Sequence, residues 1–128
     1  MKRIINTDKA PAPVGPYNQS VSHNGTLYIS GQIAIDPPTG KLIIDNIEAE
    51  THQVLKNIGA ILKEAGCTYE DVLKCSVFVS DMHNYGRINA VYAEYFKEDT
   101  APARELVEVA NLPKFVNIEI SVIAAIAE

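Results

Sequence analysis

Arg104 follows Ala101-Pro102-Ala103 at the start of an alternating segment, where a side chain can lean over a sheet edge into a cleft. Its planar guanidinium matches a carboxylate through two parallel N–H donors, so the chemistry on offer is capture of a small organic acid. A surface ion pair with Glu108 suits the same spacing. Glu119 interrupts an otherwise apolar segment between Ile118 and Ile120 and must face either solvent or a lined cavity. In a cavity its pKa would rise towards that of a general base. Tyr17, after Gly15-Pro16, offers a ring to close a pocket and a hydroxyl to donate or accept, or simply anchors its loop. The Ser30-Gly31-Gln32 step removes one side chain from a strand. That lets a ligand approach closely, and a β-bulge explains it equally well.

Other chemistries find less support. His23, His52 and His83 lie in a turn, a helix and a post-strand loop with no ligand spacing between them, so no metal site is expected. There is no phosphate-cradling Gly-rich loop and no Gly-x-Ser-x-Gly turn, which argues against nucleotide cofactors and serine hydrolysis. A formal net charge of −5 without a Lys/Arg cluster opposes binding to a phosphate backbone, so nucleic acid is not an expected partner. One well-placed arginine can still hold a small anion.

The elements that would position these residues follow from periodicity. Lys2 to Ile5 reads as a short strand, and the Pro-rich run Ala10-Pro11-Ala12-Pro13-Val14-Gly15-Pro16 forbids regular structure. Ser20–His23 and Thr26–Ile35 are two strands of a hairpin turned at Asn24-Gly25. Ile47, Val54, Leu55, Ile58, Ile61, Leu62 and Ala65 predict a helix over Ile47–Ala65, stopped by Gly66. Leu73, Cys75, Val77 and Val79 alternate as the buried face of a strand ending before Asp81. A second helix spans about Asn84 to Phe96 with an apolar stripe of Tyr85, Ile88, Val91, Tyr92, Tyr95 and Phe96. Two strands close the chain, Ala103–Val109 and Val116–Ala127. By alternation Arg104 shares a face with Leu106 and Glu108, and Glu105 points the other way.

The order β-β-β-α-β-α-β-β predicts an α+β two-layer sandwich: a mixed six-stranded sheet with both helices on one face. The last strand is apolar on both sides of its pleat at Ile118, Ile120, Val122 and Ile123, which predicts an oligomer covering the second sheet face. The 128 residues, 47% apolar and 21% charged, fit one domain over 1–128. No signal-peptide apolar region and no run of about 18 apolar residues is present, and Cys67 and Cys75 are not spaced as a redox pair. A cytoplasmic protein without membrane contact is expected.

Several segments together carry a resemblance: Ala12-Pro13-Val14-Gly15-Pro16-Tyr17, Ser30-Gly31-Gln32-Ile33, Val77-Phe78-Val79-Ser80-Asp81-Met82, Pro102-Ala103-Arg104 through Val107-Glu108-Val109-Ala110, Leu112-Pro113-Lys114 and Ile118-Glu119-Ile120. Nearly end to end, the chain resembles the Rid family of reactive intermediate deaminases, also called the YjgF or endoribonuclease L-PSP family. The resemblance implies a chorismate mutase-like fold, a homotrimer, and intersubunit clefts for 2-imino and 2-keto acids. It further implies hydrolysis of enamines and imines, such as 2-iminobutanoate and 2-iminopropanoate, to 2-keto acids and ammonia without a cofactor.

Carried onto this chain, it implies a catalytic set of Arg104, Glu119 and Tyr17. Arg104 would clamp the carboxylate and Glu119 would hold the attacking water. Tyr17, Ser30, Gly31, Asn89 and the backbone at Leu106 would line the substrate. Two departures stand out. Glu105 replaces the family's usual small hydroxyl residue and would compete for Arg104 unless alternation turns it away, and Leu106 replaces a frequent cysteine. Two other functions fit the same arginine: a non-catalytic module that binds 2-keto acids, and an endoribonuclease or translation inhibitor contacting phosphate.

Overall fold

The computed structural model describes residues 1–127. Its sheet comprises β1 (Arg3–Ile5), β2 (Ser20–His23), β3 (Thr26–Gln32), β4 (Val72–Val79), β5 (Ala103–Glu108) and β6 (Ile118–Ala125), in the spatial order β1-β2-β3-β6-β4-β5. Among the described residues only the β4–β5 pair is parallel, and the helix between those strands makes the crossover that a parallel pair requires. The expected α+β sandwich is what forms: α1 (Ile47–Glu64) and α2 (Tyr85–Tyr92) pack together over one sheet face, and among the described residues no α-helix covers the opposite face.

Local chemistry explains the best-read elements. Asn24 and Gly25 both adopt positive φ (50° and 78°), the turn that matches strand twist, and pair His23 with Thr26. Asn46 caps α1 by accepting the Ala49 N–H at 2.8 Å, and Gly66 leaves the helix at φ 79°. Val54, Leu55, Ile58, Ile61 and Leu62 are buried against Leu27, Ile29, Val77, Ile118, Ile120 and Val122 in one apolar cluster. Each such side chain contributes about 1.5–3 kcal/mol on leaving water.

Four expectations need correction. The strand expected to reach Ile35 ends at Gln32, because the carbonyls of Ile33 and Ile35 accept from the Asn57 side chain of α1 (3.1 and 2.9 Å) instead of from a strand. Leu73 is 53% exposed rather than buried: a register shift between Val72 and Lys74 puts Val72 into the core and turns Leu73 out. On β6, Ile118, Ile120 and Val122 share the helix-covered face, so the apolar character of the open face comes instead from Ile123 together with Phe78, Tyr28 and Val107. α2 also closes earlier than expected, at Tyr92, and continues as tight turns to Phe96.

One buried polar group ties the layers. Glu50 of α1 is fully buried, and its carboxyl oxygens accept the backbone N–H of Asn117 (2.7 Å) and Ile118 (3.2 Å) and the Asn117 amide (2.8 Å). It caps the entry to β6 from across the core. Glu50→Ala would leave three donors, one buried and two part-buried, without their acceptor and is expected to lower unfolding free energy by roughly 2–5 kcal/mol. Urea titration checks this, and a loss under about 0.5 kcal/mol would show that the donors find water.

Candidate active site

Arg104 lies on β5, the sheet edge, opposite Cys75 of β4 and therefore on the helix-side face. Its Nη1 donates to Asn89 Oδ1 (2.9 Å) and its Nη2 to the Tyr85 hydroxyl (3.1 Å), both on α2. The guanidinium carbon sits 4.8 Å from the centre of the Tyr92 ring, a cation–π platform. That ring is buried in the apolar core, its hydroxyl near the Cys75 thiol, whose pKa burial pushes up to about 11. The neutral thiol adds no charge under the arginine. The surface ion pair with Glu108 does not form: Glu108 accepts the Met82 N–H at 2.7 Å. Among the described residues no carboxylate lies within ion-pair distance of Arg104.

Glu105 points to the opposite face, as alternation predicts. There it accepts from the Ser76 hydroxyl and pairs with Lys74 Nζ at 3.2 Å, and these two partners, Ser76 first, lower its pKa. Its negative charge is thus engaged away from the guanidinium. Leu106, one pleat along from Arg104, packs half-buried against the core.

Glu119 occupies the open face, paired in register with Phe78 of β4. Desolvation raises its pKa. Beside it β3 shifts register between Ile29 and Gln32, so the Ser30-Gly31 step is a bulge. It is also a close approach: a Cβ on Gly31 would stand 2.7 Å from a Glu119 carboxylate oxygen, so only glycine leaves this carboxylate its place. Tyr17, Val14 and Pro11 form the facing wall of the cleft, and Lys114 its rim. The wall is held by Gln19, almost fully buried, whose amide donates to the carbonyls of Thr7, Ala10 and Pro11 (2.9, 3.2 and 2.8 Å) and whose oxygen accepts the Thr7 N–H (2.6 Å). The Ser30 hydroxyl donates to Asn18 O at 2.6 Å, bracing the segment beside Tyr17.

The residues singled out from the sequence therefore fall into two groups. Arg104, Asn89 and Leu106 stand together at the β5 edge, and Tyr17, Gly31 and Glu119, with Ser30 behind, surround the cleft on the opposite sheet face. Within this chain Arg104 and Glu119 lie on opposite sheet faces. Gln19, Tyr85, Tyr92 and Lys114 were not picked out. Tyr85 and Tyr92 read as helix stripe, and only the distance to Arg104 across the crossover reveals them. Gln19 had a faint signal, a long polar side chain directly before a strand.

Among the described residues no group of three or more His, Cys, Asp or Glu side chains converges as a metal ion would need, and no helix is long and apolar enough to cross a membrane.

The chain matches the family model described as endoribonuclease L-PSP over residues 7–126. A RutC family protein of Synechocystis is 52% identical over 97% of this chain and 96% of its own length. Mouse 2-iminobutanoate/2-iminopropanoate deaminase is 44% identical over 97% of this chain and 91% of its own. Among solved structures, a Yersinia pestis protein of the conserved Rid family superposes with a TM-score of 0.95 at 47% identity, covering 98% of this chain and all of that one. Sequence and fold together make the chain a member of the Rid family, the YjgF/L-PSP group whose motifs surround Arg104 and Glu119.

Proposed function

We propose that this chain hydrolyses small 2-imino acids, 2-iminobutanoate and 2-iminopropanoate in the first instance, to 2-keto acids and ammonia. The observation that carries the reading is Arg104: a cation fixed by neutral partners, with N–H donors unspent and, among the described residues, no carboxylate paired with it. Such a group is preorganised for a carboxylate, with little side-chain ordering left to cost binding energy. The second requirement is a base for water, and Glu119 supplies a half-buried carboxylate of raised pKa beside an open glycine. Relatives whose names record this deaminase activity support the same substrate class.

In the proposed reaction Arg104 holds the substrate carboxylate and Glu119 takes a proton from water as its oxygen bonds to the imine carbon. Tyr17 closes the cleft. The C–N bond then breaks and nitrogen leaves as ammonia, having gained both water protons, one of them through Glu119. Because the two halves of the site lie on opposite sheet faces, the reading includes a homotrimer in which the β5 edge of one protomer meets the Glu119 cleft of the next. The exposed Tyr28 and Val107 on the open face favour such contact.

The test adds the purified protein to a serine or threonine dehydratase and follows keto-acid release. Faster release of ammonia and keto acid than without the protein is expected, together with a trimer mass by light scattering. No acceleration sinks the deaminase reading, and a stable monomer that is fully active sinks the shared site.

A further inference from the structure

We infer that Tyr85 is a second carboxylate-binding residue, acting with Arg104 through its hydroxyl. The inference rests on the proposed reading that Arg104 receives a 2-keto or 2-imino acid. Tyr85 opens α2 one helical turn before Asn89, so both side chains leave the helix on the flank facing β5. There they divide the terminal nitrogens of Arg104, Asn89 taking Nη1 at 2.9 Å and Tyr85 taking Nη2 at 3.1 Å.

A phenol oxygen accepts and donates. In Tyr85 the acceptor side is engaged by Nη2, and the O–H proton has no acceptor among the described residues. The ring is 43% exposed, unlike its helix neighbours Ile88, Val91 and Tyr92, so it does little for the core. An uncommitted donor thus sits one hydrogen bond from a cation that itself has N–H groups to spare. An anion seated on Arg104 meets both. A carboxylate has two oxygens to divide between them, and the charge makes each bond stronger than a neutral one. Phenylalanine at this position would keep the ring and lose both the brace on Nη2 and the donor.

The probe is 2-ketobutanoate, titrated calorimetrically into the full-length protein, with Tyr85→Phe and Tyr85→Leu compared. Loss of one hydrogen bond predicts a Kd raised about threefold to tenfold in both variants. The imine substrate should show the same rise in KM with a smaller change in kcat, at unchanged melting temperature. Butanone, which lacks the carboxylate, should not distinguish Tyr85→Phe from wild type. If Tyr85→Phe binds 2-ketobutanoate like wild type, the inference is overturned, even if Tyr85→Leu is weak, since only the ring would then matter. Tyr85-dependent binding by a protein that hydrolyses no imine would overturn the deaminase reading and leave this one standing. Absence of keto-acid binding to wild type overturns both.

Discussion

Arg104→Ala is expected to lower kcat/KM for 2-imino acids by about 100-fold or more while leaving the fold intact. Two charge-assisted hydrogen bonds to a carboxylate contribute about 1.5–3 kcal/mol each, which over two bonds spans roughly two to four powers of ten in rate. The effect on stability is of another order. The cation rests on the Tyr92 ring at a half-exposed edge, where such contacts contribute about 0.5–1 kcal/mol. Arg104→Lys separates charge from geometry. Lysine restores a positive charge yet cannot span Asn89, Tyr85 and a ligand at once, because it lacks the planar fork. Most of the loss should therefore persist in Arg104→Lys. Steady-state kinetics alongside thermal unfolding check both parts, and an alanine variant with more than a third of wild-type kcat/KM would remove Arg104 from the site.

The parts of this molecule that were legible in the sequence are those decided by neighbours in the chain. The α1 stripe, the Asn24-Gly25 turn and the opposite facing of Arg104 and Glu105 each follow from a period of 3.6 or 2 and from local turn chemistry. The failures have a common cause in long-range partners. Ile33 to Ile35 looked like strand, but Asn57, more than twenty residues away, takes their carbonyls. Leu73 obeyed the alternation until a bulge, set by pairing with Ile123 and Ala124, shifted it by one. The candidate residues could be named one by one through family motifs, whereas their division between two sheet faces was not legible. Placing Arg104 and Glu119 on opposite faces requires the order β6-β4-β5 and the side on which α2 lands, and neither is a local property.

Glu119 offers the second large effect, and it separates activity from stability by sign. A base must be ionised, so kcat/KM should fall as pH drops through the Glu119 pKa. Desolvation raises that pKa, which places the acid limb of the profile above the ordinary carboxylate value of 4.5. Glu119→Gln keeps the shape and removes the base: a loss of about 100-fold to 10,000-fold is expected, and the limb should vanish from what remains. Stability runs the other way. With its folded-state pKa above its unfolded one, the folded protein binds this proton more tightly, so ionisation costs stability as pH rises through the folded pKa, and the cost is complete above it. Neutral glutamine escapes that cost, so the variant at pH 7 should be as stable as wild type or more so. A carboxylate kept for structure would behave oppositely, its neutral replacement lowering stability. Were Glu119→Gln to lose stability and keep the acid limb, the water-activating role would pass to another group. Greater stability joined to lost turnover would mean that the fold tolerates an unfavourable charge beside Gly31 because the reaction needs it there.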